Sequence, residues 1–218
     1  MLGVYYAVSD SLWNASTWWD IAWLGAILIP TVFVLDYLVL PLLDYRGLPL
    51  LALALAAFAV ICSAADLDAI ANFAKLGAVT FAAFWFLSYF ETLGWVLIVV
   101  AIIPWVDAWS VWRGPTHVIV TQKKEIFTTL SFAFPTPGEH TSANLGLPDL
   151  LFFALFLAAT VRFGLRTRLT WLLMAASFGI TLALSVWLEL GGLPALPGLS
   201  IAFVLANGDL LWKRLRPT

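Results

Sequence analysis

The chain has 218 residues, of which 62% are hydrophobic and only 11% charged, with a formal net charge of −2. Soluble domains carry about 25% charged residues, so the composition points to an integral membrane protein. The near-neutral charge, with basic residues clustered at the ends of apolar runs, excludes a nucleic-acid surface. Cys62 is the only cysteine, which excludes an intramolecular disulfide and any multi-cysteine metal centre.

The first stretch, MLGVYYAVSDSLWNASTWWD, has no basic leader, so no cleaved signal peptide is expected. A membrane-crossing helix needs about 20 mostly apolar residues. Segments of that kind run from Trp18 to Leu40, Leu48 to Ala64, Ala74 to Phe90, Leu93 to Trp112, Leu147 to Phe163, Leu169 to Leu190 and Pro197 to Trp212. They predict an all-α membrane protein, a polytopic bundle of about seven transmembrane helices. One domain, 1–218, is expected, with a three-helix part over 1–92 and a second part over 93–218 that contains a polar loop at 113–146. Trp18, Trp19, Trp23, Trp95, Trp112, Trp171 and Trp212 fall near predicted ends, where amphipathic rings favour the headgroup level.

The loop is far longer than the usual connection of about 4–6 residues. Its first part, THVIVTQKKEIFTTLSFAF, is β-branched and aromatic around a polar break, which predicts a short β-hairpin between the two helices that carry Asp107 and Asp149. Its second part, PTPGEHTSAN, reads as turn. Arg46, Arg162, Arg166, Arg168, Lys213, Arg214 and Arg216 fall on one side of the predicted spans, and Lys75, Arg113, Lys123 and Lys124 on the other. The richer side is expected to be cytoplasmic, together with the C-terminus, in a multi-pass protein of the cell membrane.

Two acids interrupt the apolar segments of the second part: Asp107 in IVVAIIPWVDAWSVWRGP and Asp149 in NLGLPDLLFFALFLAA. A carboxyl group in hydrocarbon costs roughly 2.5–3.5 kcal/mol on insertion scales and marks a functional site by default. If the two meet, one proton is shared between them, as in aspartic proteases, and together they can activate water against an amide. Asp149, opening a helix after Pro148 where the helix dipole favours an anion, is the expected base, and Asp107 the expected acid. The residues alone leave two other readings open. The acids can be interhelical hydrogen bonders or caps in a membrane scaffold, or a relay in a proton-coupled transporter, although no inverted repeat is visible. No zinc or serine-hydrolase motif is present, and His117 and His140 lie in the loop without ligand spacing, so neither metal nor cofactor is expected. Asp36 and Asp209 read as structural or interfacial.

Three segments in order resemble the presenilin and signal peptide peptidase family of intramembrane aspartyl proteases. Val106-Asp107, followed by Ala-Trp-Ser-Val-Trp-Arg-Gly-Pro, is similar to the first aspartate motif. Gly146-Leu147-Pro148-Asp149 is similar to the Gly-x-Gly-Asp motif, and Pro194-Ala195-Leu196 to Pro-Ala-Leu. Val106 replaces the family's tyrosine, and Pro148 its second glycine. The resemblance covers about half the chain, from Leu93 onward. It implies cleavage of transmembrane segments of other proteins in the bilayer, with Asp107 and Asp149 catalytic. It also implies that Gly146, Leu147, Pro148, Pro194, Ala195, Leu196 and Pro197 line the substrate site. A strand near that site, placed by the β-rich run from His117 to Phe134, is implied to pair with unwound substrate. The cytoplasmic tail is similar to signal peptide peptidase rather than presenilin.

Overall fold

The computed structural model describes residues 2–113, 129–139, 142–188 and 193–215. A short helix α1 (Leu2–Val8) and a 3-10 turn (Ser9–Ser11) precede a helical span from Thr17 to Leu42. That span joins α2 (Thr17–Trp23) to α3 (Ile29–Leu38) through a π turn (Leu24–Leu28). Pro30 explains the π turn: it has no N–H for the Ala26 carbonyl and its ring crowds that group, so the preceding turn widens. There follow α4 (Leu48–Ala64), α5 (Asp68–Leu87), α6 (Leu93–Trp112), strands β1 (Ser131–Pro135) and β2 (Ser142–Gly146), α7 (Leu147–Arg162), α8 (Thr167–Trp187) and α9 (Leu196–Leu215).

Every one of the seven apolar segments contains a helix, and among the described residues four are long and apolar enough to cross a membrane: Thr17–Leu42, α5, α6 and α8. The other three differ for physical reasons. With 17 and 16 residues, α4 and α7 rise only about 24–26 Å, less than a hydrocarbon core of about 30 Å. The end of α9 is polar, carrying Asp209, Lys213 and Arg214. The start of α5 also differs from expectation, at Asp68 instead of Ala74. An acid in the first turn suits the helix dipole, and Lys75 therefore sits on the helix, where its amine donates to the Ser131 carbonyl at 3.3 Å.

The centre of the molecule is α7. Nine of its residues, among them Phe153, Phe156 and Thr160, are buried on all sides, the pattern of a helix enclosed by others. It lies against α5, α6, α8 and α9. Phe33, Phe153 and Phe178 all stack on one another, at centroid spacings of 3.9, 5.2 and 5.8 Å, tying α3, α7 and α8 together. Gly25 and Gly179 bring the first span against α8 so closely that a Cβ on either would lie 3.0 Å from the other's Cα, a small-residue helix crossing. Most of the tryptophans are exposed as expected of anchors, but Trp171 is not one of them. Its Nε1–H donates to the Phe33 carbonyl at 3.0 Å inside the bundle.

The hairpin lies between the two Asp-bearing helices, with a different strand pair from the one expected. β1 pairs antiparallel with β2 from Ser131 opposite Gly146 to Pro135 opposite Ser142. The second strand thus comes from the segment read as turn, and the expected first run, 114–128, lies outside the described residues. Burial explains the choice: Phe132 is fully buried against Tyr6 and Phe73, with Phe134 buried beside it, so packing on α1 and α5 places β1 and brings β2 beside it.

Candidate active site

Three chain segments meet at the hairpin end of the bundle: the last third of α6, the β2–α7 junction and the start of α9. Asp107 projects from α6, and its Oδ2 accepts the Leu196 N–H at 3.0 Å. A helix leaves its first amides without internal partners, and Asp107 supplies one from a different helix. Asp149 stands at the third position of α7, in the first turn, where an acid suits the helix dipole, and its carboxyl lies beside Gly146, the residue before the helix. Asp107 and Asp149 are close enough for the charge of one to act on the other, and both are half-buried.

The two acids share a depth. Arg162 ends α7, 13 residues beyond Asp149, and Leu93 begins α6, 14 residues before Asp107, so each carboxyl stands about 20 Å along its helix from the opposite end of the bundle. That opposite end is basic. Arg166 forms a two-pronged ion pair with Asp209 at 2.7 Å on each arm, Arg162 donates to the Leu87 carbonyl at 3.0 Å, and Arg214 donates to the Phe163 carbonyl.

Gly146 ends β2 with an ordinary backbone conformation (φ −61°). Its value is space: a Cβ there would lie 3.2 Å from the Asp149 carboxylate. Leu147 is half-buried and Pro148 exposed in the first turn of α7, where a missing N–H costs nothing, so the proline that departs from the glycine motif is accommodated. Ala195 and Leu196 are buried. The last helix, α9, begins at Leu196, one residue before the expected start at Pro197, which lies in its first turn. Pro194 and Pro197, with Ala108 and Trp112, border an apolar cleft of about 500 Å³ between α6, α8 and α9. Pro104 and Ser200 border a second apolar groove of about 370 Å³ between α6 and α9, in which the buried Ser200 hydroxyl has no hydrogen-bond partner among the described residues. His117 and His140 lie outside the described residues.

Sequence reasoning missed the residues that hold β1. Asn72 on α5 accepts the Ala133 N–H at 3.1 Å and donates to the Ala133 carbonyl at 2.7 Å. Tyr6 donates to the same carbonyl at 2.8 Å, and Tyr5 to the Pro135 carbonyl at 2.7 Å. The only signal for Asn72 was a polar amide in an apolar helix. No protein-family model and no curated protein matches the chain.

Proposed function

We propose that this chain is an intramembrane aspartyl endopeptidase of the presenilin and signal peptide peptidase type, a multi-pass protein of the cell membrane with seven spans and a cytoplasmic C-terminus. The observation that carries the reading is the convergence of Asp107 and Asp149 at one depth, Asp107 on the Leu196 amide at the start of α9 and Asp149 in the first turn of α7. With the basic end at one headgroup boundary, a height of about 20 Å leaves both acids within a hydrocarbon core of about 30 Å. The apolar grooves along α6 and α9 suit a transmembrane substrate.

In the reaction one carboxylate takes a proton from water as the water oxygen attacks the scissile carbonyl. The other, protonated, donates to the developing oxyanion and helps the amine leave with its proton. Asp149 opens α7, where the helix dipole favours an anion, and is the base; Asp107 is the acid.

Strand addition belongs to β2. Since Ala133 turns both backbone groups toward Asn72, the register makes Phe132 and Phe134 the residues that bond β2, and Ser142, Asn144 and Gly146 turn outward. No described residue's backbone bonds the Asn144 N–H or carbonyl. An unwound substrate that pairs there lies directly beside Gly146 and Asp149.

The test is incubation of the purified protein with a panel of transmembrane peptides, comparing wild type with Asp107→Asn and Asp149→Asn. Cleavage by wild type, reduced about 10²–10⁴-fold or more in each variant, supports the protease. Asparagine at 107 can still accept the Leu196 amide, so a pure capping role predicts no loss. Absence of cleavage with acid-dependent ion flux favours the relay.

A further inference from the structure

We propose that Asp36 is a proton-binding site separate from the Asp107 and Asp149 pair: its carboxyl is held as the neutral acid and donates to the Thr80 hydroxyl, which in turn donates to the Leu76 carbonyl. The inference does not depend on the protease reading. It starts from a count of protons. The Thr80 Oγ1 lies 2.6 Å from Oδ1 of Asp36 and 2.8 Å from the Leu76 carbonyl oxygen. A threonine hydroxyl has one proton, and with Asp36 ionised both of these neighbours can only accept. The two contacts are both hydrogen bonds only if the second proton comes from Asp36.

The other carboxyl oxygen gives the same answer. Oδ2 has no partner among the described residues, and Asp36 is 1% exposed. An ionised carboxyl would leave its charge in the bundle with neither water nor a second donor, at a cost of several kcal/mol. In the acid, Oδ2 is an unpaired carbonyl oxygen, which costs about 1–3 kcal/mol. The charged side chains on the surrounding elements are Asp68 and Lys75 on α5, Asp149 and Arg162 on α7 and Arg168 on α8, with Asp44 and Arg46 after the first span. Lys75 and Arg162 donate to the Ser131 and Leu87 carbonyls, and Tyr37 turns its ring to Trp171. Among the described residues, Thr80 is the one hydrogen-bond partner of Asp36.

The site joins the first span to α5 about 10 Å inside the basic end, since Leu42 lies six residues after Asp36 and Leu87 seven after Thr80. It is a clasp that holds while the proton is present. Ionisation removes the donor to Thr80 and pulls the hydroxyl from Leu76 toward a charge that nothing else balances. An unfolded aspartate loses its proton above about pH 4, so folding takes a proton up, and the stability it brings is complete in acid and falls as pH rises.

The experiment uses the full chain in lipid nanodiscs, with Asp107→Asn and Asp149→Asn in the background so that the other pair gives no signal. Infrared spectra with isotope-labelled aspartate are expected to show the carbonyl stretch of a neutral carboxylic acid at about pH 8, far above the ordinary aspartate range. The band disappears in Asp36→Asn, whose amide can still donate to Thr80. Relative to Asp36→Asn, the folding equilibrium constant of the parent falls about tenfold per pH unit above about pH 4, read from thermal unfolding. In Thr80→Val the acid loses its acceptor and its band moves to higher frequency, and Thr80→Ser restores the position; this pair keeps the test decisive if Asp36→Asn does not fold. A parent protein without the band, a band that survives Asp36→Asn or ignores Thr80→Val, or a parent that gains stability over Asp36→Asn as pH rises overturns the proposal.

Discussion

Asp107 is bound to the Leu196 amide and Asp149 lies against Gly146, so single-residue changes there separate chemistry from support. Alanine at 107 removes the acceptor for the Leu196 amide as well as the carboxyl, whereas asparagine keeps an acceptor. Asp107→Ala is therefore expected to lower thermal stability by about 1 kcal/mol relative to Asp107→Asn, the typical worth of a helix cap, with both equally inactive in peptide cleavage. Gly146→Ala presses a methyl group against the Asp149 carboxylate while leaving an ordinary backbone angle undisturbed. It should reduce kcat about tenfold or more with an unchanged melting temperature, since small misplacements of reacting groups cost large factors in rate. Asp36 has a different task. It is almost wholly buried on α3 and lies 2.6 Å from the Thr80 hydroxyl, with its Oδ2 lacking any partner among the described residues. Thr80→Val leaves that carboxyl without a partner and should cost about 1–3 kcal/mol, read as a lower unfolding midpoint in detergent. The sequence marked Asp36 as structural from its position alone; the partner 44 residues away was beyond reach because no local spacing links them.

Among elements, the helices were legible and the hairpin only by its place in the chain. Apolar runs of transmembrane length declare themselves, and α6 begins and ends at the expected residues, Leu93 and Trp112. The strand pair could not be read, because β2, with the sequence SANLG, has neither β-branched enrichment nor clear alternation. It is a strand because β1 is anchored beside it by Phe132, Phe134, Asn72 and the two tyrosines. The helix crossing at Gly25 and Gly179 is likewise a contact of sequence-distant residues. Gly25→Leu has no room against Gly179 and should destabilise the bundle by about 1–3 kcal/mol through overpacking, measured by thermal unfolding. At that same crossing the loss is expected to be smaller for alanine than for leucine.

Over the whole molecule, the hairpin and the basic cluster occupy opposite ends of α7, which makes orientation testable. Cys62 is buried, so Cys62→Ala provides a cysteine-free background. In it, Pro137→Cys at the hairpin turn should react with a membrane-impermeant maleimide added to intact cells, and Arg168→Cys only after permeabilisation. The opposite pattern would invert the proposed topology. Composition alone decided that the protein is helical and built for a membrane, because the cost of burying charge and unpaired backbone in hydrocarbon admits few alternatives. It also marked the two carboxyl groups, since an acid in an apolar run stands out without any knowledge of the fold. Which amide Asp107 faces and which side chains hold the hairpin in place depend on contacts between residues far apart in the chain. Those contacts arise only when α5, α6, α7 and α9 are packed together, and no local pattern in the sequence encodes them.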